Sequence, residues 1–184
     1  LAMVSPVLVY RSLVHGKYRD GWGEKLLGRL PELGNVAPDR ERYWFHAVSV
    51  GEVLLLQSIL PELRSRTPEA EIVLTTTTTT GHAVACDKFP DFTVAYFPLD
   101  FSWAVRRAIS RIQPTEIILV ELELWPNFLK TAQRSETPLS LINGRLSDKS
   151  FRGYSKLRWL LRPVLRSFDL LAVQNETYAR RFLE

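Results

Sequence analysis

The stretch YWFHAVSVGE, residues 43–52, decides the fold. Residues 43–48 mix aromatic and β-branched side chains in the manner of a strand buried on both faces. Over residues 53–63 the apolar positions recur at steps of three and four, which is helical spacing. Ser49, Gly51 and Glu52 therefore occupy a strand-to-helix turn. In an open parallel sheet the ligand crevice lies beyond the carboxyl ends of the strands, and free amides at the next helix start receive anionic groups. An acid at that place has two readings. A glutamate in a first helical turn gains roughly 0.3–1 kcal/mol from the helix dipole. Alternatively, Glu52 takes a proton from a substrate hydroxyl, with Ser49 and Gly51 leaving room for a bulky acceptor. The dipole favours the carboxylate and so weakens it as a base; nearby negative charge or desolvation must offset this.

The same alternation runs outward through the chain. Further strands are predicted over residues 71–77, 92–97, 116–124, 138–142 and 169–173. Helices are predicted over residues 51–66, 81–88, 101–112 and 148–168, behind Pro126, and from Glu176 onward. Pro61 should kink or split the first of these and Pro163 the long one. A short amphipathic helix at residues 24–30 and a loop marked by Pro31, Gly34, Asn35 and Pro38 precede the first strand. Strands alternating with helices mean an α/β protein with a Rossmann-like, doubly wound parallel sheet.

With 184 residues, 46% hydrophobic and 24% charged, the chain suits one well-buried globular domain. Its 24 Lys+Arg against 20 Asp+Glu leave +4, too small an excess to argue for nucleic acid. One cysteine, Cys86, excludes an intramolecular disulfide framework. Three widely separated histidines and that cysteine form no metal-ligand spacing, so neither a metal nor another cofactor is expected. The chain begins at Leu1 and reads as a piece of a longer protein. Its opening LAMVSPVLVYRSLV is broken by Ser5, Pro6 and Arg11 and falls short of the ~20 residues of a membrane span. Followed by Arg11, His15, Lys17, Arg19 and Trp22, it reads equally as an interfacial segment or as a packed helix.

Three further strand ends carry candidate residues. The run of threonines at residues 75–80 before Gly81 begins as strand and ends as turn. Thr79, Thr80 and Gly81 offer hydroxyls and backbone donors to a phosphate or sugar there, in a pattern that is neither GxGxxG nor a Walker loop. Glu121 and Glu123 in VELELWPN alternate with leucines, which puts both acids on one face near the end of the fourth strand. They can raise each other's pKa, or one can pair with a cation such as Arg145. Asn143 and Arg145 follow the fifth strand; Arg145 could hold a carboxylate or phosphate of a ligand, or a neighbouring glutamate. These residues should converge on one crevice.

Four ordered motifs, WFHAVSVGE (44–52), TTTTG (77–81), ELWPN (123–127) and NGRLSDKSFRGY (143–154), together resemble the 3-deoxy-D-manno-octulosonic acid (Kdo) transferases of lipopolysaccharide assembly. The resemblance runs over nearly the whole chain and covers that family's N-terminal half. It implies half of a GT-B glycosyltransferase, inverting and metal-independent, with CMP-Kdo as donor and a lipid A precursor as acceptor. It also implies work at the cytoplasmic face of the inner membrane, with no nucleic acid as partner. By the same resemblance Glu52 is the general base, Glu123 is needed for activity, and the donor nucleotide is held mainly by a C-terminal domain. The expected division is a membrane-proximal helical segment at residues 1–34 and an acceptor-side Rossmann-like domain at residues 35–184. Two other readings are open: a GT-B enzyme of another nucleotide-sugar, such as a 2-epimerase, or a non-enzymatic module binding anionic surfaces through basic helix faces around Arg106 and Arg158.

Overall fold

The computed structural model describes residues 21–184 apart from residues 38, 156 and 157. The expectations for the apolar opening and its basic flank lie outside the described residues. Six strands, β1 (Arg42–His46), β2 (Glu71–Thr76), β3 (Thr93–Tyr96), β4 (Glu116–Val120), β5 (Leu139–Gly144) and β6 (Leu170–Val173), form one sheet in the order β3-β2-β1-β4-β5-β6. Every pairing is parallel. The order reverses between β1 and β4, and that switch point is where such sheets open their crevice.

β1 is central because its side chains serve two cores. Trp44 packs with Val73, Ile117, Leu119 and Phe128 on one side of the sheet. Phe45 and Ala47 pack with Leu74, Ile118 and Val53 on the other. The first core is covered by α1 (Trp22–Leu27), α4 (Ser102–Ile112), α5 (Pro126–Arg134) and α7 (Arg158–Leu165). The second is covered by α2 (Val50–Arg66) and α3 (Thr79–Lys88). Two more helices, α6 (Asp148–Ser155) and α8 (Glu176–Leu183), complete the described chain. At Gly28, with φ 61, a Cβ would run into the carbonyl oxygen of Ala104, so the glycine lets the chain after α1 lie against α4.

At the amino ends of the strands, fully buried Arg42 is answered on every side. Its Nε donates to Glu71 at 2.7 Å, and its guanidinium also bonds the carbonyls of Gly34, Ile112 and Leu33. This end is a clamp; the crevice is at the other.

Of the two outcomes expected at Pro61, a kink or a split, the split is absent: α2 runs unbroken over Val50–Arg66. Both Pro61 and Gln57, whose carbonyl loses its partner, are exposed, so water can replace the missing bond. Within the helix expected over residues 148–168, the structure describes α6 over Asp148–Ser155 and α7 over Arg158–Leu165, with residues 156 and 157 between them outside the described residues. β4 ends at Val120, short of residue 124, for a reason that belongs to the site.

Candidate functional site at the switch point

The turn after β1 is built around Glu52. Ser49 is extended, with φ −119, and stands at the N-cap of α2. From the third helical position Glu52 reaches back: Val48 N–H donates to Oε2 at 2.7 Å and the Ser49 hydroxyl donates to Oε1 at 2.8 Å. This S-x-x-E arrangement fixes the carboxylate and leaves it with acceptor capacity to spare. Burial pushes the Glu52 pKa up, the bonds from Ser49 and Val48 pull it back, and the charge of Glu121 raises it again. The offset to the helix dipole that a base requires is thus present. A Cβ added at Gly51 would meet only Ser49 Oγ, at 3.9 Å, so the space beside Glu52 is open.

β4 stops because Glu121 adopts φ 81, left-handed backbone that is rare outside glycine. The E-L-E-L alternation therefore continues in a loop, with Leu122, Leu124 and Trp125 packed against the first core. The turn delivers the Glu121 carboxylate to Arg145 as an ion pair. Asn143 Nδ2 donates to the same oxygen at 3.4 Å, and Gln174 Nε2 donates to Asn143 Oδ1 at 2.6 Å. Asn143 is itself left-handed, with φ 57, where the β5–β6 pairing shifts register. Two strained residues on adjacent strand ends thus support one carboxylate.

Glu123 is different. No cation pairs with it among the described residues, and burial together with the charges of Glu52 and Glu121 pushes its pKa up to about 7. Tyr154, from α6, is pushed up by burial and then by the charge of Glu123. Acids from the ends of β1 and β4 and a phenol from α6 therefore form one electrostatic unit.

The threonine run contributes mainly structure. Buried Thr75 Oγ1 accepts from Trp44 Nε1 at 2.8 Å and donates to the Phe45 carbonyl at 3.2 Å. Thr78 caps α3 by accepting from Gly81 N–H at 3.0 Å, and its hydroxyl lies 3.4 Å from the carbonyl of Val48. The TTTG turn consequently lies against the turn that bears Glu52. Thr79 and Thr80 are exposed in the first turn of α3, while Gly81 is buried.

Three supporting residues were not read from the sequence as parts of the site. Asp100 accepts from the amides of Asn127 at 3.1 Å and Phe128 at 2.8 Å, pinning the start of α5 and the far end of the Glu123 loop. His46, 1% exposed, stacks on Phe97 at 3.7 Å, and Phe97 packs against Trp125 at 5.9 Å. Its Nδ1 lies 3.1 Å from the Thr75 carbonyl, which can only accept, so that nitrogen carries the proton. Burial pushes its pKa down to about 3, so it stays neutral. Tyr154 was legible only as an apolar step of a helix. Among the described residues, no three His, Cys, Asp or Glu side chains are grouped to hold a metal ion.

Over residues 20–184 the chain matches the family model described as 3-deoxy-D-manno-octulosonic-acid transferase (kdotransferase). It is similar to the 3-deoxy-D-manno-octulosonic acid transferase of Chlamydia trachomatis, 34% identical over 182 residues, 98% of this chain and 42% of that protein. The Haemophilus influenzae protein of the same name is 31% identical over 161 residues, 86% of this chain and 38% of the relative. The chain thus spans about two fifths of the length of these relatives. Among solved structures, the UDP-GlcNAc 2-epimerase from Neisseria meningitidis bound to UDP-GlcNAc matches with a TM-score of 0.54 at 10% identity, over 78% of this chain and 43% of that one. That likeness is one of fold: a Rossmann-like doubly wound sheet, as expected from the strand pattern, of the GT-B kind that the family resemblance implies.

Proposed function

This chain belongs to the 3-deoxy-D-manno-octulosonic-acid transferase family, and on that premise we propose that it is the acceptor side of an inverting glycosyltransferase. The donor is CMP-Kdo, held mainly by a C-terminal domain, and the acceptor is a lipid A precursor at the cytoplasmic face of the inner membrane. The observation that carries the proposal is the meeting of Glu52 and Glu123, from two separate motifs, at the switch point of the sheet.

Glu52 takes the proton of the acceptor hydroxyl as that oxygen bonds to the anomeric carbon of Kdo. The bond from that carbon to the CMP phosphate breaks, and CMP leaves with the electron pair. Held by Val48 and Ser49, the carboxylate keeps a lone pair free for this transfer. Burial and the charge of Glu121 keep Glu52 basic, while Glu123, with its pKa pushed up to about 7 by burial and by the charges of Glu52 and Glu121, holds a proton beside it near neutral pH. Gly51 leaves room for the acceptor sugar, and the Thr79–Thr80–Gly81 turn and the Asn143–Arg145 edge border that space. Arg145 holds Glu121 in place and stands at the rim for an anionic group of the substrates.

Full-length protein given CMP-Kdo and a lipid A precursor should form the Kdo-bearing product. UDP-N-acetylhexosamine should be neither transferred nor epimerised. Turnover of the UDP-sugar with none of CMP-Kdo would overturn the substrate assignment in favour of another nucleotide-sugar enzyme on the same fold.

A further inference from the structure

Three buried polar atoms at the carboxyl ends of the strands have no hydrogen-bond partner among the described residues: His46 Nε2, Thr77 Oγ1 and Trp125 Nε1. Each comes from a different one of the ordered motifs read in the sequence, WFHAVSVGE, TTTTG and ELWPN. His46 ends β1, Thr77 follows the end of β2, and Trp125 stands in the loop after β4, so they come from strands adjacent in the sheet. Phe97 links them. Its ring stacks on His46 at 3.7 Å and packs against Trp125 at 5.9 Å, and its N–H donates to the carbonyl of Thr76, next to Thr77, at 2.9 Å. A buried polar atom left unbonded destabilises a fold, and native proteins hold few of them. A group of them at the switch point calls for a partner that arrives from outside.

The chemistry of that partner follows from the atoms themselves. His46 Nδ1 holds the ring proton toward the Thr75 carbonyl at 3.1 Å, which leaves Nε2 an acceptor. Trp125 Nε1–H can only donate, and the Thr77 hydroxyl does either. A sugar hydroxyl meets them all: it donates to His46 Nε2 and accepts from Trp125 Nε1. A phosphate or carboxylate cannot, because its lone pairs would face that of Nε2, and an ammonium cannot accept from the indole. His46 is 1% exposed, so the hydroxyl must be let in. The loop that carries Trp125 provides the means. It is pinned at its start by Glu121 on Arg145 and at its end by Asp100 on the amides of Asn127 and Phe128. Between those pins Leu122, Glu123 and Leu124 make no backbone–backbone hydrogen bond among the described residues. A stretch unbonded between two fixed ends can lift and close again.

We infer that His46, Thr77 and Trp125 form a subsite for one hydroxyl of the acceptor sugar, opened when the Glu123 loop lifts and lying beside the Glu52 carboxylate. Val48, two residues past His46, is what bonds Glu52, so the subsite and the base share one turn. That the sugar is the acceptor's rests on the transferase reading. The selection of a neutral hydroxyl rests on the three atoms alone. Because Glu123 rides the same loop, seating the sugar and setting the acid cluster in place are one movement.

The test is calorimetric binding of the lipid A precursor, stripped of its acyl chains, to the full-length protein without any sugar nucleotide. It reads binding apart from transfer. Thr77→Val, which keeps the shape, and Trp125→Phe, which keeps an aromatic ring, should each raise the Kd about threefold to tenfold. Thr77→Val should show a Tm at or above native. Thr77→Ser keeps the hydroxyl and should bind as the native protein does; a Kd raised as much as in Thr77→Val would overturn the inference. An unchanged Kd in Thr77→Val and Trp125→Phe would also overturn it, in favour of frustrated core atoms if the Tm of Thr77→Val rises and of a buried water if it falls. Failure of the native protein to bind the sugar would overturn it outright. Binding weakened as described in a protein that transfers no Kdo would refute the function proposed above and leave the subsite intact. Kdo transfer with native Kd in both variants would do the reverse.

Discussion

Arg145 closes on Glu121 and leaves Glu123 without a cation. Of the two acids the sequence places side by side, one is neutralised at the rim and the other is kept half-protonated near neutral pH. Arg145→Ala would leave the Glu121 charge unscreened, and that charge raises the pKa values of both Glu52 and Glu123. The acid limb of kcat/KM should then move to higher pH by about half a unit, while Arg145→Lys should hold it near native. The pH–rate profile of the three proteins decides this.

Glu123 carries a stability consequence of definite sign. Its folded pKa, about 7, lies above the ordinary glutamate value of 4.5, so between those values the folded state holds a proton that the unfolded state has released. Stability from this group is complete below pH 4.5 and is lost as pH rises through about 7. Glu123→Gln should abolish that loss and raise stability at pH 8 by about 1–2 kcal/mol. Thermal midpoints of native and variant at pH 5 and pH 8 measure it.

His46 should show the opposite slope. Its folded pKa of about 3 lies below the ordinary histidine value of 6.5, so the unfolded chain takes up a proton first as the solution is acidified. Stability is complete above pH 6.5 and falls steadily toward pH 3, by about 2 kcal/mol near pH 5. His46→Phe, which keeps a ring against Phe97, should flatten the dependence of Tm on pH over that interval.

Two glycines beside the site should separate folding from function. At Gly81 a Cβ would lie 2.8 Å from Thr78 Oγ1, so Gly81→Ala disturbs the cap of α3 and should cost about 1 kcal/mol, read as a lower Tm. At Gly51 a Cβ meets only Ser49 Oγ at 3.9 Å. Gly51→Ala should keep the native Tm and raise KM for the acceptor if that space receives it. An unchanged KM would place the acceptor elsewhere.

Much of this was legible in the sequence because a buried parallel strand and an amphipathic helix leave different apolar periods. The β1–α2 turn and the convergence of strand ends follow from that alternation. What misled was apolar pattern without backbone geometry. Leu122 and Leu124 extend the alternation of β4 past the point where Glu121 turns left-handed, and they are apolar because they pack on the core from a loop. The partner of Arg145 depended on that same turn, so residue types alone left Glu121 and Glu123 equivalent. His46 and Asp100 act through Phe97 and the α5 amides, contacts between segments distant in the chain.

The most direct measurement is the rate of Kdo transfer from CMP-Kdo to a lipid A precursor by the full-length protein, native beside Glu52→Gln. Loss of about a hundredfold to ten-thousandfold at an unchanged Tm is the result expected of a group that takes the acceptor proton. A near-native rate would contradict it, leaving Glu52 as the clasp of the β1–α2 turn and Glu123 as the next residue to examine for the base.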